Sequence, residues 1–223
     1  MTYAEKNHGI ITFHKMLCFR QSPAAYKAIH EDLLGIEPEE EKDAFILGRA
    51  IEDYIYGKTD EYEVVARRGE SSKTQLTRAQ GTVVEKSSAE MLANPFGAPK
   101  GAKERVEIMY SGERVGGEID ELYLEKWETN GMQFDGYIAD YKSCASFESA
   151  EKFMEQYIEQ IAYYQFITQV AKDIDANRIA GMIKLVTKDS FRPMSKVILI
   201  TPQTLLSYRP HLLGTLDKLV KMK

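Results

Sequence analysis

Apolar residues recur every three or four positions in several stretches of the chain, which is the spacing of one face of an amphipathic helix. In the helix predicted over residues 149–170, Ser149 is the expected N-cap, and Glu155 and Glu159 are expected to face away from the apolar stripe. The pattern predicts helices over residues 23–34, 42–56, 149–170 and 202–221, with a short one over 82–92.

Short apolar runs bounded by turn residues predict strands in the second half of the chain. Asn130-Gly131 is a strong hairpin-turn signal, although residues 126–135 are long enough for a wider loop. Ile119 and Leu122 break the alternation of a regular strand, so a bulge or bend is expected near Asp120. The predicted strands are 105–110, 115–124, 137–142, 180–187 and 196–200. Together, these elements predict an α/β fold with a mixed central β-sheet flanked by helices.

The length and apolar content of the chain fit one globular domain. Its 223 residues, 43% of them hydrophobic, suffice for one sizeable core, so we expect a single domain over residues 1–223. Residues 57–103 are rich in Gly, Ser and Lys and show weak periodicity, which predicts a basic loop-and-helix insertion before the first hairpin. Because no run of about 18 apolar residues exists, we expect no membrane span or secretory signal and a cytoplasmic location.

The sulfur and imidazole side chains exclude several kinds of site. Cys18 and Cys144 are too few for a disulfide scaffold or for a four-cysteine iron–sulfur cluster, so no cluster is expected. The four histidines show no close paired spacing, which argues against a zinc hydrolase.

Charge is distributed unevenly along the chain. The net charge is −5, yet residues 64–105 contain eight Lys or Arg and four Asp or Glu. A basic surface beside an acidic site would suit a polyanion such as nucleic acid. The same composition also fits a solvated basic loop, and charge alone leaves both interpretations open.

Asp140 and Lys142 stand two residues apart in the predicted strand 137–142. Residues at that spacing point to the same face of a strand, so a carboxylate and an ammonium should lie side by side. A carboxylate can bind a hard divalent cation, and an ammonium can orient a water molecule that such a cation acidifies. The pair also fits an ordinary ion pair, which needs no ligand.

Two helical pairs could complete such a site. Gly48 and Glu52 lie one turn apart, and the glycine would allow close approach of another backbone or a ligand. Gln160 and Tyr164 are also one turn apart, and their amide and hydroxyl could hydrogen-bond a phosphate or a carboxylate. The alternatives are a solvated glutamate and a pair at the edge of the core.

These groups occur in a recognisable order. The chain reads Gly-x-x-x-Glu at 48–52, Gly-Glu-Ile-Asp at 117–120, Ile-Ala-Asp-Tyr-Lys at 138–142 and Gln-x-x-x-Tyr at 160–164. This order resembles the PDDExK nuclease superfamily, and more closely its RecB/RecE/lambda-exonuclease branch, which carries a helical QxxxY motif. The resemblance covers roughly residues 45–168 and implies a restriction-endonuclease-like core. RecE-like members usually have histidine where this chain has Glu52, which loosens the assignment within the branch.

The resemblance implies a metal-dependent phosphodiester hydrolase. Mg²⁺, or Mn²⁺ in its place, would be the cofactor. Lys142 would position the attacking water, and Gln160 and Tyr164 would orient the scissile strand or the metal ligands. The implied metal ligands are Glu52, Asp120, Asp140 and the backbone carbonyl of Tyr141.

The resemblance also implies a biological setting. The expected function is digestion of linear double-stranded DNA from its ends in phage or prophage recombination and repair. The expected partners are DNA, a single-strand annealing protein and other copies of the chain, in the host cytoplasm if a phage encodes it. One alternative is a structure-specific or single-strand DNA endonuclease that uses the same site. The other is a non-catalytic DNA-binding protein of the same fold.

Overall fold

The computed structural model describes residues 9–30, 43–67, 69, 71–129 and 131–222. A mixed six-stranded sheet lies at its centre. The strands of this sheet are β1 (Ile10–Ile11), β4 (Ala102–Tyr110), β5 (Glu113–Tyr123), β8 (Gly136–Cys144), β9 (Ile179–Thr187) and β10 (Ser195–Ile200). Two short two-stranded sheets are β2 (Tyr62–Val65) with β3 (Thr74–Thr77) and β6 (Trp127–Thr129) with β7 (Met132–Phe134).

Helices cover both faces of the central sheet, as the predicted fold class requires. On one face, three helices pack against apolar residues such as Ile138 and Leu185. On the other face, two helices pack against Tyr141 and Val186. The helices are α1 (Phe13–Gln21), α2 (Pro23–His30), α3 (Asp43–Ile55), α4 (Arg78–Ala93), α5 (Phe147–Glu151), α6 (Met154–Lys172) and α7 (Pro202–Met222). The first face carries α1, α6 and α7, and the second carries α3 and α4.

Strand β5 has two neighbours on one of its edges. Strand β4 pairs antiparallel along its other edge. On the shared edge, β1 pairs in parallel at Arg114 and Val115, and β8 pairs antiparallel at residues 121–123. Within the described residues, positions 116–120 of β5 therefore have no ladder partner on that edge. Asp120 lies at this opening in the sheet, where its carboxylate accepts a hydrogen bond from the backbone N–H of Tyr141.

The expected irregularity near Asp120 is confirmed. The register between β4 and β5 shifts between Ala102 and Glu104, which pair with Leu122 and Ile119 respectively. One strand therefore contributes an extra residue at this point, as in a β-bulge, and the local twist can redirect nearby side chains.

The start of the QxxxY helix differs from the prediction. Ser146, rather than Ser149, is the N-cap, and the two serines form a capping box that begins the short helix α5. The longer helix α6 then begins at Met154 without a side-chain cap. Glu159 does not face away from the core: it is buried, and Arg20 of α1 binds both of its carboxylate oxygens at 2.6 and 2.7 Å.

Residues 57–103 contain more regular structure than their composition indicates. Helix α4 begins at Arg78, where Thr77 and Gln80 form a capping box, and so is longer than the predicted 82–92. The parallel pair β2 and β3 was not predicted. The segment 126–135 forms a hairpin with Gly131 at a φ of 72° in its turn, as the turn signal indicated. Residues 31–34 of the first predicted helix lie outside the described residues.

None of the helices that the structure describes is long and apolar enough to cross a membrane.

Candidate active site

Strand β8 carries a carboxylate and an ammonium of the candidate site, on Asp140 and Lys142. Lys142 Nζ lies 2.6 Å from Asp140 Oδ2, so the two side chains share one face of the strand as their spacing predicted. The Asp140 side chain is 1% exposed and the Lys142 side chain 25% exposed. A carboxylate this deeply buried needs a compensating charge, and Lys142 supplies it.

Helix α6 places the QxxxY pair against the same carboxylate. Gln160 Nε2 donates to Asp140 Oδ1 at 3.0 Å and lies 3.2 Å from the Tyr164 hydroxyl. The Tyr164 ring packs on Gly117 of β5, where an added Cβ would lie 3.0 Å from the ring. A side chain at Gly117 would therefore press on Tyr164, which explains why glycine suits this position.

Asp120 lies in the opening of the sheet. Its Oδ2 accepts a hydrogen bond of 3.0 Å from the backbone N–H of Tyr141, although β5 and β8 no longer pair as strands at this level. The N–H and C=O of one strand residue point to the same edge, so the Tyr141 carbonyl also faces this opening. The backbone group and the Asp120 carboxylate predicted as ligands therefore lie at one place.

Glu52 reaches the opening from α3, on the other face of the sheet. Close packing of α3 on β8 requires Gly48, because an added Cβ there would lie 2.8 Å from Ser143 Oγ. Glu52 does not touch the other carboxylates directly. Instead, its Oε1 is bound at 2.7 Å by Lys103, whose ammonium also lies 3.2 Å from Glu118.

The site concentrates negative charge in a poorly solvated place. Burial, reinforced by the nearby Asp120 charge, raises the pKa of Glu52 to about 7. Burial and the nearby Asp140 charge also raise the pKa of Asp120 to about 7. Burial opposes the charge on Lys142, but Asp140 and Asp120 still hold its pKa above the usual range. At neutral pH, an added positive charge would thus stabilise the ionised carboxylates of the site.

Two supporting groups were not identified from the sequence. The Tyr56 hydroxyl donates to the backbone carbonyl of Asp120 and so helps to hold the bulged segment. Behind the site, Glu121 and Lys184 form an ion pair of 2.5 Å in which both side chains are almost fully buried. Nothing in their local pattern could signal the pair, because it joins two strands that are distant in sequence.

Behind the site, the Glu121 carboxylate organises the neighbouring loop as well as its ion pair. It accepts hydrogen bonds from the Tyr137 hydroxyl at 2.6 Å and from the backbone N–H groups of Lys100 and Gly101 at 2.8 and 3.1 Å. The loop before β4 is thereby fixed to the residue next to Asp120. This fixes the position from which Lys103 enters the site.

The oxygen-rich donor set suits a hard divalent cation. Asp140 Oδ2 is buried and, apart from its ion pair with Lys142, receives no aligned hydrogen bond in the described structure. Such an oxygen is available to a further cation. Within the described ranges, however, no three His, Cys, Asp or Glu side chains converge closely enough to form a ready metal cage. Lys103 stands between Glu52 and the rest of the set.

The predicted residues therefore fall into three groups. Direct contacts join the β8 pair to the α6 pair. Asp120 joins them through the backbone of Tyr141, and Glu52 is close enough to interact electrostatically but is held by Lys103. The directly joined side chains are Asp140, Lys142, Gln160 and Tyr164.

Comparison with solved structures shows a strong likeness in fold. A candidate exonuclease from Eubacterium rectale superposes with a TM-score of 0.70 at 16% sequence identity, over 98% of this chain and 83% of the other. A second structure, SSO0001, covers 80% of this chain and 85% of its own at 14% identity, but its TM-score of 0.31 supports no argument. No protein-family model and no curated protein matches the chain. The first likeness establishes a shared fold.

Proposed function

We propose that the chain is a metal-dependent DNA exonuclease of the QxxxY branch of the PDDExK superfamily, acting on the ends of linear duplex DNA. The observation that carries the proposal is the convergence of Asp120, Asp140, Lys142 and Gln160 at the opening between β5 and β8. An ordinary surface ion pair would not require a buried carboxylate, a lysine and a glutamine amide at a break in a sheet.

The proposed metal ligands are Asp120, Asp140, the Tyr141 carbonyl and, once it is released from Lys103, Glu52. Bound Mg²⁺ would acidify a water molecule and stabilise the negative charge that develops on the phosphate. The raised pKa values of Glu52 and Asp120 support this assignment, because they reflect burial of the charge and, after it, repulsion from a neighbouring carboxylate, which a divalent cation would relieve.

Lys142 is proposed to hold the attacking water. Its ammonium is fixed by Asp140 and lies 5.5 Å from the centre of the Tyr157 ring, so its position is defined on two sides. With 25% of its side chain exposed, it can still reach solvent and substrate. A positively charged lysine in this position donates hydrogen bonds to a water oxygen and favours the hydroxide form.

Gln160 and Tyr164 are proposed to orient the carboxylates. The Gln160 amide holds one oxygen of Asp140, and the other oxygen, which pairs with Lys142, receives no aligned hydrogen bond and could also bind a cation. Burial and the nearby charges of Asp120 and Asp140 hold the pKa of Tyr164 well above its usual range, so the hydroxyl stays protonated and can donate a hydrogen bond. These roles are those of groups that support metal ligands from behind.

The choice of DNA ends as substrate rests on the resemblance and on the shared fold. The matched structure is described as that of a candidate exonuclease, and the motif order resembles that of the RecB/RecE/lambda-exonuclease branch. Backbone recognition would suffice for such an enzyme, because every DNA end presents the same phosphates.

The test is digestion of end-labelled linear duplex, nicked circles, closed circles and single-stranded DNA, with Mg²⁺ or with EDTA. We expect Mg²⁺-dependent loss of the linear duplex and survival of closed circles. Lys142→Ala should reduce the rate by about 10²-fold to 10⁴-fold. Lys126→Ala, which removes an exposed lysine outside the site, is the matched control and should keep the full rate.

Because Lys142→Ala leaves Asp140 Oδ2 without a partner, Lys142→Gln, whose amide can donate a hydrogen bond, is a second variant, and circular dichroism should show that each variant is folded. Cleavage of closed circles would favour the endonuclease alternative. If folded wild-type protein bound DNA but cleaved no substrate with Mg²⁺ or Mn²⁺, the enzymatic proposal would be wrong.

A further inference from the structure

Lys103 is a cation in the candidate site that the proposed chemistry does not use. Its ammonium lies 2.7 Å from Glu52 Oε1 and 3.2 Å from Glu118 Oε1. Burial opposes its charge, yet Glu52 and Asp120 raise its pKa above the usual range, so it is charged at neutral pH. A positive charge therefore already stands beside one of the proposed metal ligands.

The alternation of side chains along β4 explains how Lys103 reaches this position. It lies between Ala102 and Glu104, at the point where the register of β4 on β5 shifts. Its neighbour Glu104 instead pairs with Lys172 of α6. The extra residue of the bulge lies in β5, so Lys103 stands opposite Asp120 and Glu121, and the alternation of β4 directs it to the face that carries Glu52.

The two carboxylates that contact Lys103 differ in their surroundings. The Glu52 side chain is 18% exposed and borders the carboxylate cluster, whereas the Glu118 side chain is 45% exposed and lies towards solvent. Lysine is flexible and its ammonium can rotate among partners. A small movement would thus shift the ammonium from Glu52 onto Glu118.

We propose that Lys103 is a built-in counter-ion that occupies Glu52 when no metal is bound, and that a divalent cation must displace it towards Glu118. Lys103 thereby sets the metal affinity of the site. The proposal rests on the proposed function, since it assumes that Glu52 is a metal ligand. It also accounts for the lack of a ready metal cage in the described residues.

The test is Mn²⁺ binding to DNA-free protein, measured by calorimetry and by the electron paramagnetic resonance signal of free Mn²⁺. Salt should be held near 0.15 M, where long-range effects of charge are screened within about 8 Å. Lys103→Met should bind Mn²⁺ about fivefold more tightly than the wild type or better, whereas Lys103→Arg, which keeps the charge, should restore weaker binding.

Two controls separate direct competition from a general loss of positive charge. Lys172→Met removes a lysine that pairs with the neighbouring residue Glu104, and it should leave Mn²⁺ affinity unchanged. In a Glu52→Gln background, Lys103→Met should give little further tightening, because the carboxylate for which the lysine competes is gone.

Unchanged or weaker Mn²⁺ binding by folded Lys103→Met would overturn the inference while leaving the nuclease proposal intact. A gain that persists in full with Glu52→Gln would also overturn it, since the lysine would then act at a distance. If neither wild type nor Lys103→Met bound Mn²⁺, the metal dependence and this inference would both fail. Lys103→Gln is the substitute if Lys103→Met does not fold.

Discussion

At the scale of single residues, the site is defined by acidic groups whose pKa values are displaced upwards. Asp120 is partly buried, close to Asp140, and has a pKa raised to about 7. The folded protein therefore binds a proton at Asp120 more tightly than the unfolded chain does. The stability contribution of this proton is complete below the ordinary aspartate pKa and is lost as the pH rises through about 7.

Asp120→Asn should therefore stabilise the metal-free protein at high pH. Asparagine keeps an oxygen that can accept the Tyr141 N–H but carries no charge beside Asp140. At pH 8 with EDTA, we expect a gain of about 1–3 kcal/mol in the free energy of unfolding by urea, shrinking to nothing towards pH 4. Asp60→Asn, at an exposed carboxylate, is the control and should show no such pH-dependent gain. Equal stability of Asp120→Asn and wild type at pH 8 would contradict the crowded-charge account.

At the scale of elements, the candidate site depends on the buried Glu121–Lys184 ion pair that lies behind it. The Glu121–Lys184 pair joins β5 to β9 across β8, and the same carboxylate fixes the loop that leads into β4. Removing one partner of a buried ion pair leaves the other charge without compensation, whereas removing both does not.

Lys184→Met should therefore cost about 3–5 kcal/mol in the free energy of unfolding, and Glu121→Gln/Lys184→Met should cost distinctly less. Urea denaturation of the three proteins gives the comparison. Arg178→Met, which breaks an exposed pair with Asp135, should cost far less than Lys184→Met. A double variant as unstable as Lys184→Met would indicate that the lysine acts through packing rather than charge.

Contacts between residues close in sequence could be predicted from the sequence, whereas contacts between distant elements could not. Periodicity predicted the main strands from residue 105 onwards and most of the helices, but not β1, α1 or the β2–β3 pair, and the bulge followed from the broken alternation at Ile119 and Leu122. The partners of Glu159 and Glu121 did not, because each is bound by a cation from an element that is remote in sequence. The contact of Asp140 with Lys142 was predictable since both residues lie on one strand.

The position of Lys103 shows the limit of this reasoning within the site itself. Its place beside Glu52 depends on the bulge, on the loop that Glu121 fixes and on α3 approaching from the other face. Each of these features is a tertiary arrangement with no short-range signal. The motif order could predict which carboxylates converge, but not which cation stands among them.

At the scale of the whole molecule, the proposed metal binding would be linked to folding. A ligand that binds the folded state at about 100 times its dissociation constant stabilises it by about 2.7 kcal/mol. For a domain of this size, that corresponds to a rise of about 5–10 °C in Tm. Protons would compete with the proposed cation for Glu52 and Asp120, whose pKa values are raised to about 7.

We therefore expect saturating Mg²⁺ to raise Tm at pH 8 and to raise it much less at pH 5.5. Calorimetric scans with Mg²⁺ or with EDTA at both pH values measure the difference. Asp120→Asn should reduce the rise at pH 8, since it removes a charged ligand. An equal rise in Tm at the two pH values would mean that the cation acts away from these carboxylates.

The shared edge of β5 also has a consequence for synthesis of the chain. Strand β1 pairs with β5 at Arg114 and Val115, and the Tyr163 hydroxyl lies 2.8 Å from the Ile11 carbonyl and 3.0 Å from that of Gly116. On the ribosome, Ile11 emerges well before Tyr163, by about ten seconds or more at ordinary rates of translation. The contacts of Tyr163 with β1 and β5 therefore form late. The nascent chain cannot assemble this site until α6 has been made.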